Sequence, residues 1–256
     1  MPFDHAGQVA FITGAGSGIG RATALRLASE GAAVVVADID ATGADETVAA
    51  VEAIGGEALA VRCDVRDRGE IAAAGQEALA RFERLTYLVN NAGLVTMDSF
   101  DDLTEEAWDL VVDVNLKGVY LVTQELNGFI AASGGGAIVN LSTIEARVVV
   151  SSQGFCQVHY NASKGAIPNL TKALAVELGR KKIRVNAVAP GPVATDFVDY
   201  EGITSAEAME FMRERLVIPR VGLPDDIAAA VSFLLSAEAG WITGVELPVD
   251  GGWLTR

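Results

Sequence analysis

The chain has 256 residues, half of them hydrophobic, and a formal net charge of −15. This length allows a large buried core, and the composition is typical of a globular protein. The acidic balance disfavours nucleic acid as a partner, because binding to phosphates requires clustered lysine and arginine.

Neither a membrane span nor a signal peptide is predicted. The sequence contains no run of about 18 consecutive apolar residues, and its beginning does not combine a basic segment with an apolar one. Its cysteines, Cys63 and Cys156, and its histidines, His5 and His159, are too few for a disulfide framework or a zinc centre. We therefore expect a cytoplasmic protein without a metal site.

Hydrophobic periodicity predicts alternating strands and helices along the whole chain. The first three elements, a strand at 9–12, a helix at 18–31 and a strand at 33–37, form a βαβ unit. The elements that follow are a helix at 41–54, a strand at 57–62, a helix at 68–83, a strand at 86–90, a helix at 105–132, a strand at 137–141, a helix at 158–179, a strand at 183–188, an irregular stretch at 190–219 with a short helix, a helix after Pro224 and a strand at 245–249. Near-continuous apolar strands between amphipathic helices indicate a doubly wound α/β fold, with a parallel sheet covered on both faces. Because no linker or repeat interrupts the alternation, we expect one domain over residues 1–256.

A glycine-rich loop, Thr13-Gly-Ala-Gly-Ser-Gly-Ile-Gly20, follows the first strand and begins the first helix. Glycines let a backbone turn sharply and approach a pyrophosphate, while the helix N-terminus supplies free N–H groups and a partial positive charge. Glycines alone also suit any tight turn. The position between strand and helix makes this loop a predicted dinucleotide site.

Asp38 ends the second strand, at the position where an acidic side chain binds the adenosine ribose hydroxyls and repels a 2′-phosphate. No basic residue accompanies it in 37–40, and the loop carries Ser17 rather than a basic residue, so NAD is favoured over NADP. The alternative is that Asp38 caps the following helix, although Asp40 is also placed to do so. Two further segments, Asp64-Val65 and 90–93, end the third and fourth strands at the same edge of the sheet, where ligands bind in open α/β folds. Ordinary turn chemistry is the alternative explanation.

Tyr160 and Lys164 are four residues apart and share one helix face. An adjacent positive charge favours the phenolate, so such a pair can transfer protons near neutral pH. Lowering the phenol pKa by about three units requires roughly 4 kcal/mol, which is more than one screened surface charge supplies. Burial or a second positive charge, such as an oxidised nicotinamide, has to assist. A solvated helix face without a catalytic role is the alternative.

Taken together, these motifs resemble those of the short-chain dehydrogenase/reductase family, and the match runs nearly from end to end. It rests on Thr-Gly-x-x-x-Gly-Ile-Gly at 13–20, Asn-Asn-Ala-Gly at 90–93, Asn115, Tyr-x-x-x-Lys at 160–164 and Pro-Gly at 190–191. The resemblance implies a seven-stranded Rossmann-type sheet in the order 3-2-1-4-5-6-7. It also implies a homotetramer or homodimer formed through the helices at 105–132 and 158–179.

The resemblance also assigns roles to residues. Tyr160 would be the catalytic acid or base, Lys164 would hold the nicotinamide ribose and lower the tyrosine pKa, and Asn115 would anchor a water that relays protons to Lys164. The predicted cofactor-binding residues are Gly14, Ser17, Gly18, Ile19, Gly20, Asp38, Ile39, Asp64, Val65, Asn91, Ala92, Gly93, Tyr160, Lys164, Val193 and Thr195.

The chain departs from the family at the residue that polarises the substrate oxygen, which is a serine in relatives. The alignment places Thr143 there, and it keeps a hydroxyl while adding a stiffening methyl. Ser142, one position earlier, is the alternative. The segment 144–158 is about four residues longer than usual and is expected to border the substrate. Pro168, inside the same helix as Lys164, is expected to kink or loosen it, without a functional role.

The predicted substrate lid covers about 191–220 and carries the apolar residues Phe197, Tyr200, Met209, Phe211 and Met212. With 148–150 and Phe155, it suggests a mainly hydrophobic substrate. The predicted function is hydride transfer between NAD and a secondary alcohol or ketone. The alternatives are an isomerase or dehydratase that retains NAD, and a Rossmann-fold binding protein without catalysis. His159 is expected to pack against a neighbouring loop rather than act as a base.

Overall fold

The computed structural model describes residues 3–150, 156–195 and 205–255. Phe155, Phe197 and Tyr200, three of the apolar residues predicted to border the substrate, lie outside these ranges. Within the described ranges, no helix is both long enough and apolar enough to cross a membrane.

Seven parallel strands form one sheet in the order β3-β2-β1-β4-β5-β6-β7, which confirms the predicted topology. The strands are β1 (Val9–Thr13), β2 (Ala33–Asp38), β3 (Ala58–Arg62), β4 (Tyr87–Asn90), β5 (Gly136–Leu141), β6 (Ile183–Pro190) and β7 (Glu246–Val249). The order reverses at β1, which pairs with β2 on one side and β4 on the other. In open α/β sheets the crevice at the carboxyl end of such a reversal is where ligands bind.

Eight α-helices are described, and they agree with the predicted ones in order and approximate extent. They are α1 (Gly18–Ser29), α2 (Ala41–Ala53), α3 (Arg68–Phe82), α4 (Glu105–Val112), α5 (Gly118–Ala132), α6 (Val158–Gly179), α7 (Ala206–Met212) and α8 (Pro224–Leu235). The single helix expected over 105–132 contains a π-helical turn, Asp113–Lys117, between α4 and α5. Such turns commonly mark functional sites, and this one contains Asn115. The helix α6 remains one helix through Pro168.

The hydrophobic core lies on both faces of the sheet, because alternate strand residues point to opposite sides. Phe11 of β1 packs among residues of α3 and α5, whereas its neighbour Ile12 packs among residues of α1 and α8. Both side chains are fully buried. This two-sided burial explains the near-continuous apolar strands of the sequence, and it leaves the carboxyl edge of the sheet to carry polar groups.

Candidate active site

The glycine-rich loop leaves no room for a side chain at Gly14 or Gly20. The backbone of Gly14 has φ +62°, and a Cβ there would lie 2.8 Å from the Cα of Ala92. A Cβ at Gly20 would lie 2.1 Å from the carbonyl oxygen of Gly14. Ser17 precedes α1 in an extended conformation, and its side chain does not cap the helix. The first-turn N–H groups of α1 therefore have no side-chain acceptor from Ser17, which is the arrangement that favours an anionic ligand.

The loop after β4 is fastened to the glycine loop. The side-chain amide of Asn91 donates to the carbonyls of Thr13 at 2.9 Å and Gly14 at 2.8 Å. In return, the hydroxyl of Thr13 accepts the backbone N–H groups of Asn91 at 3.0 Å and Ala92 at 3.1 Å. The reciprocal bonds fix the two loops that flank the crevice.

Asp38 contacts the glycine loop directly. Its Oδ2 accepts the backbone N–H of Gly16 at 2.8 Å, and its Oδ1 accepts that of Asp40 at 3.0 Å. Asp40 caps α2 by accepting the backbone N–H of Thr42 at 3.1 Å. Asp40, rather than Asp38, therefore serves as the helix cap, and Asp38 is left at the crevice. Ile39, the neighbouring predicted cofactor residue, is exposed.

Arg21, on the first turn of α1, is a basic residue near the loop that the sequence analysis missed. Its Nη2 donates to the carbonyl of Gly16 at 2.5 Å and to Glu46 at 2.8 Å, while its Nε donates to Thr47 at 2.9 Å. Arg21 lies outside both the loop and the end of β2, the two segments whose residues indicate cofactor preference, although one helical turn brings position 21 back to the loop. Its guanidinium is occupied by Glu46 and by backbone and hydroxyl oxygens.

The segment after β3 places Asp64 and Val65 at the same edge. Arg66 binds the Asp64 carboxylate, with Nη2 2.6 Å from Oδ2, and these hydrogen bonds hold the pKa of Asp64 below its usual value. The side chain of Val65 packs so closely on Gly118, the first residue of α5, that a Cβ there would lie 2.8 Å from it. The hydrogen bonds with Arg66 thus keep Asp64 ionised at neutral pH, while Val65 fixes the start of α5 against this edge of the sheet.

After β6, the chain returns to the start of α1. Val193 is buried and forms a parallel bridge with Gly222. The Cβ of Thr195 lies 3.7 Å from the position that a Cβ at Gly18 would occupy. Two predicted cofactor residues that are far apart in sequence, Thr195 and Gly18, thus meet at one helix N-terminus.

Tyr160 and Thr143 lie together. Tyr160 is half-buried, and its side chain forms a hydrogen bond with that of Thr143. The Thr143 hydroxyl also accepts the backbone N–H of Glu145 at 3.3 Å. By contrast, the Oγ of Ser142 is buried and has no hydrogen-bond partner among the described residues. Of the two candidate hydroxyls, Thr143 is the one beside Tyr160.

Lys164 lies on the same side of the crevice, below the loop after β4. It is 5% exposed, and its Nζ donates to the carbonyl of Leu141 at 2.9 Å. A Cβ at Gly93 would lie 3.4 Å from that Nζ and 3.3 Å from the Oδ1 of Asn115. Gly93 thus lies between Lys164 and Asn115, where a larger residue would crowd both.

Asn115 holds the loop after β4 from below. Its Oδ1 accepts the backbone N–H of Leu94 at 2.8 Å, and its Nδ2 donates to the carbonyl of Leu94 at 2.8 Å and to Ser163 at 3.2 Å. The side chain is fully buried. These bonds connect the π-helical turn to α6, one residue before Lys164.

The electrostatics of the pair differ from the sequence-based expectation. Burial, followed by the negative charge of Glu145, raises the pKa of Tyr160 above its ordinary value of 10.0, and the hydrogen bond with Thr143 opposes this only in part. Burial also lowers the pKa of Lys164 from 10.5 to about 8. In the protein alone, Lys164 therefore does not bring the tyrosine pKa towards neutrality. Glu145 was not singled out from the sequence, because only the fold places it near Tyr160.

His159 packs as expected. It is fully buried, and its Nε2 lies 2.8 Å from the hydroxyl oxygen of Thr96, in the segment between β4 and α4. Burial lowers its pKa below 6.5. Across the described ranges, no three His, Cys, Asp or Glu side chains form a group that could hold a metal ion.

Known proteins resemble this chain over nearly its full length. A family model described as enoyl-(acyl carrier protein) reductase matches residues 14–254. Cis-4-hydroxycyclohexanecarboxylate dehydrogenase of Sinomonas cyclohexanicum is 41% identical, over 96% of this chain and 96% of its own. Cyclohexanol dehydrogenase of Acinetobacter sp. (strain SE19) is 37% identical, over 97% of this chain and 96% of its own. A solved structure of 7α-hydroxysteroid dehydrogenase, complexed with NADH and 7-oxo glycochenodeoxycholic acid, has a TM-score of 0.90 and 34% identity, covering 98% of this chain and 96% of that one.

Proposed function

We propose a specific reaction on the basis of the family: the chain belongs to the short-chain dehydrogenase/reductase family, and the relatives described above are oxidoreductases that act on alcohols or ketones. The proposed reaction is the transfer of a hydride between NAD and a mainly hydrophobic alicyclic secondary alcohol or its ketone. The observation that carries the proposal is the hydrogen bond between Tyr160 and Thr143 beside the buried Lys164. It unites a proton donor or acceptor with a hydroxyl that can orient the reacting oxygen.

The crevice fits a dinucleotide. A pyrophosphate has to approach the backbone closely, and Gly14 and Gly20 have no room for a Cβ at that place. The N-terminus of α1, with Gly18 and Ile19, would bind the phosphates, and Lys164 would bind the nicotinamide ribose. When bound, NAD supplies the hydride acceptor for oxidation and, reduced, the hydride donor for reduction.

The preference for NAD over NADP is assigned to Asp38. Its carboxylate already accepts the N–H of Gly16 at the edge of the loop, where it would accept ribose hydroxyls and repel a 2′-phosphate. Arg21 does not offset that repulsion, since Glu46 pairs with it. An NAD preference favours alcohol oxidation in cells, where that pool is usually kept oxidised.

The chain's own groups then perform the proton chemistry. Thr143 orients the substrate oxygen through its hydroxyl, and Tyr160 takes the hydroxyl proton during oxidation or returns it during reduction. Asn115 anchors the relay that ends at Lys164. Because Lys164 is buried, its side-chain amino group lies near Tyr160 and Thr143 rather than in bulk water.

An apolar wall beside Thr143 supports an alicyclic substrate. Ile144 packs in a buried cluster with residues from the predicted lid and the C-terminal segment: Ala194, Met212, Leu216, Val221 and Trp253. Rings without charge are the groups that such a wall accommodates. The names of two relatives, which refer to cyclohexanol and to a hydroxycyclohexane, lead to the same class.

The test is an absorbance assay for NADH formation with cyclohexanol and a panel of cyclic, aromatic and steroidal secondary alcohols. We expect turnover of alicyclic alcohols with NAD and a loss of at least about 10³-fold in Tyr160→Phe, which retains the ring but not the proton. Turnover that persists in Tyr160→Phe would remove Tyr160 from the mechanism.

The same assay separates the alternatives. Tight binding of NAD without turnover on the panel would favour a binding protein without catalysis. Conversion of a substrate without net NADH formation would favour an isomerase or dehydratase that retains NAD. The cytoplasmic location, the single domain and the homotetramer or homodimer remain predictions, and size-exclusion chromatography with light scattering checks the oligomer.

A further inference from the structure

Glu145 is fixed beside the reacting groups by two hydrogen bonds. Its backbone N–H donates to the hydroxyl of Thr143 at 3.3 Å, and its Oε2 accepts the side-chain amide of Asn161 at 3.0 Å. Asn161 directly follows Tyr160 on α6. The Nδ2 of Asn161 also donates to the carbonyl of Gln157 at 2.9 Å, so both of its amide protons are used. The side chain that holds the Glu145 carboxylate is therefore itself held in one orientation.

The carboxylate acts electrostatically on the site. The charge of Glu145 raises the pKa of Tyr160. Burial raises the pKa of Glu145 itself, and the hydrogen bond from Asn161 opposes that rise by favouring the carboxylate. Because the Glu145 side chain is partly buried, its charge is less screened than a charge at the surface. Arg147, two residues further along, does not neutralise Glu145, because its Nε binds Glu246 at 2.6 Å. The Nζ of Lys164 donates to the carbonyl of Leu141.

We propose that Glu145, held by Asn161 beside Tyr160, selects substrates by charge: it admits neutral and cationic alcohols and disfavours those whose ring carries a carboxylate. The inference rests on the proposed function and narrows it. A substrate oriented by Thr143 and Tyr160 would lie beside Glu145, because the Glu145 backbone bonds the Thr143 hydroxyl and its carboxylate bonds the residue that follows Tyr160. A second carboxylate in that position is repelled, whereas an ammonium or a second hydroxyl finds an acceptor.

The proposal separates this chain from one of its relatives. The Sinomonas protein is named for a hydroxycyclohexane that carries a carboxylate. We expect the present chain to prefer cyclohexanol or a cyclohexanediol to that hydroxy acid. At an effective dielectric constant of about 20, one unit charge a few ångströms away changes binding by at least roughly tenfold.

The experiment compares three probes that share a six-membered ring and differ in charge. Cyclohexanecarboxylate, cyclohexanone and cyclohexylamine are titrated by calorimetry into the protein saturated with NADH, at a pH where the amine is protonated. Glu145→Gln keeps an oxygen that can accept from Asn161 but removes the charge. We expect the ratio of the carboxylate Kd to the amine Kd to fall at least about tenfold in this variant. A change in the pKa of Tyr160 alone would not distinguish the two probes in this way.

Two further variants are the controls. Glu145→Asp retains the charge and is expected to retain the preference, which also protects the test if Glu145→Gln does not fold. Glu52→Gln, on the exposed face of α2, removes the same charge far from the site and is expected to leave the ratio unchanged. Equal binding of the carboxylate and the amine by the unaltered protein, or an unchanged ratio in Glu145→Gln, overturns the proposal.

Failure of this inference and failure of the proposed function are distinguishable. If no alicyclic alcohol is oxidised but the ratio of Kd values shifts, the proposed substrate class is wrong and the charge selection stands. If cyclohexanol is oxidised with NAD but the ratio does not shift, the proposed function stands and Glu145 has no selective role.

Discussion

Replacing Asp38 with asparagine is expected to relax the preference for NAD. Asparagine has nearly the same shape, and its side-chain oxygen can still accept the N–H of Gly16, which Asp38 accepts at 2.8 Å, while the N–H of Asp40 loses its acceptor. The substitution therefore removes one charge from the ribose site while leaving the glycine loop in place. The matched control is Asp40→Asn, two residues away, because asparagine caps helices as well as aspartate does.

The expected size follows from Coulomb's law. Two unit charges about 5 Å apart interact by roughly 3 kcal/mol at an effective dielectric constant of about 20. Asp38 is only half-buried, so solvent screening reduces this to about 2 kcal/mol. That energy corresponds to a roughly 30-fold change in the ratio of kcat/KM for NADP to kcat/KM for NAD. Asp40 is exposed and already engaged with Thr42, so its substitution should move the ratio far less.

The assay measures kcat/KM for both cofactors at a fixed saturating alcohol and at two ionic strengths. The effect of Asp38→Asn should persist at the higher ionic strength, because the charges lie well within the Debye length. If Asp38→Asn and Asp40→Asn change the ratio equally, the argument from local repulsion is wrong and only net charge matters. If neither changes it, Asp38 does not contact the ribose.

Two further predictions concern the hydroxyl beside Tyr160 and a buried histidine. Thr143→Val should lower kcat by about 10²-fold or more, as removal of one preorganised donor does, whereas Thr143→Ser should retain most activity; a larger loss in Ser142→Ala than in Thr143→Val would reverse the assignment. His5 is fully buried, with its ring nitrogens 3.3 Å from the Tyr87 hydroxyl and 3.1 Å from that of Ser232, and burial lowers its pKa below 6.5. Because the unfolded chain then binds the proton more readily, stability should fall as the pH drops below 6.5. Thermal unfolding between pH 7.5 and pH 5 should show a smaller decline in His5→Gln, and an equal decline would exclude His5 as a source.

Most of the fold could be predicted because its signals are local. A strand such as β1 is largely apolar because both of its faces are buried, and the helices between strands are recognised by the helical periodicity of their apolar residues. The π-helical turn at Asp113–Lys117 could not be predicted in this way, because it coincides with hydrogen bonds that Asn115 donates to the carbonyl of Leu94 and to the hydroxyl of Ser163, which join distant segments. Helical periodicity does not record such contacts.

The residues of the candidate site were likewise predictable only where their sequence signals are local. Gly14, Asp38 and Lys164 could be identified because their motifs are short and lie at strand or helix ends. Arg21 and Glu145 were missed for different reasons: Arg21 returns to the carbonyl of Gly16 within one helical turn but lies outside the glycine pattern, whereas Glu145 reaches the site through its bond with Asn161. The contact between Glu145 and Asn161, unlike a glycine pattern, has no fixed spacing in sequence.

The charges around Tyr160 change the argument that the spacing of Tyr160 and Lys164 first suggested. From the sequence, Lys164 alone does not supply the roughly 4 kcal/mol needed for a phenolate near neutral pH, so burial or a second positive charge is expected to assist. In the folded chain, burial raises the pKa of Tyr160 and lowers that of Lys164, so each group is driven towards its neutral form. Glu145 increases the deficit. Under the proposed function, the positive charge that favours the phenolate therefore has to arrive with the oxidised nicotinamide. The tyrosine would become a base when the cofactor is present, and free protein would keep it protonated.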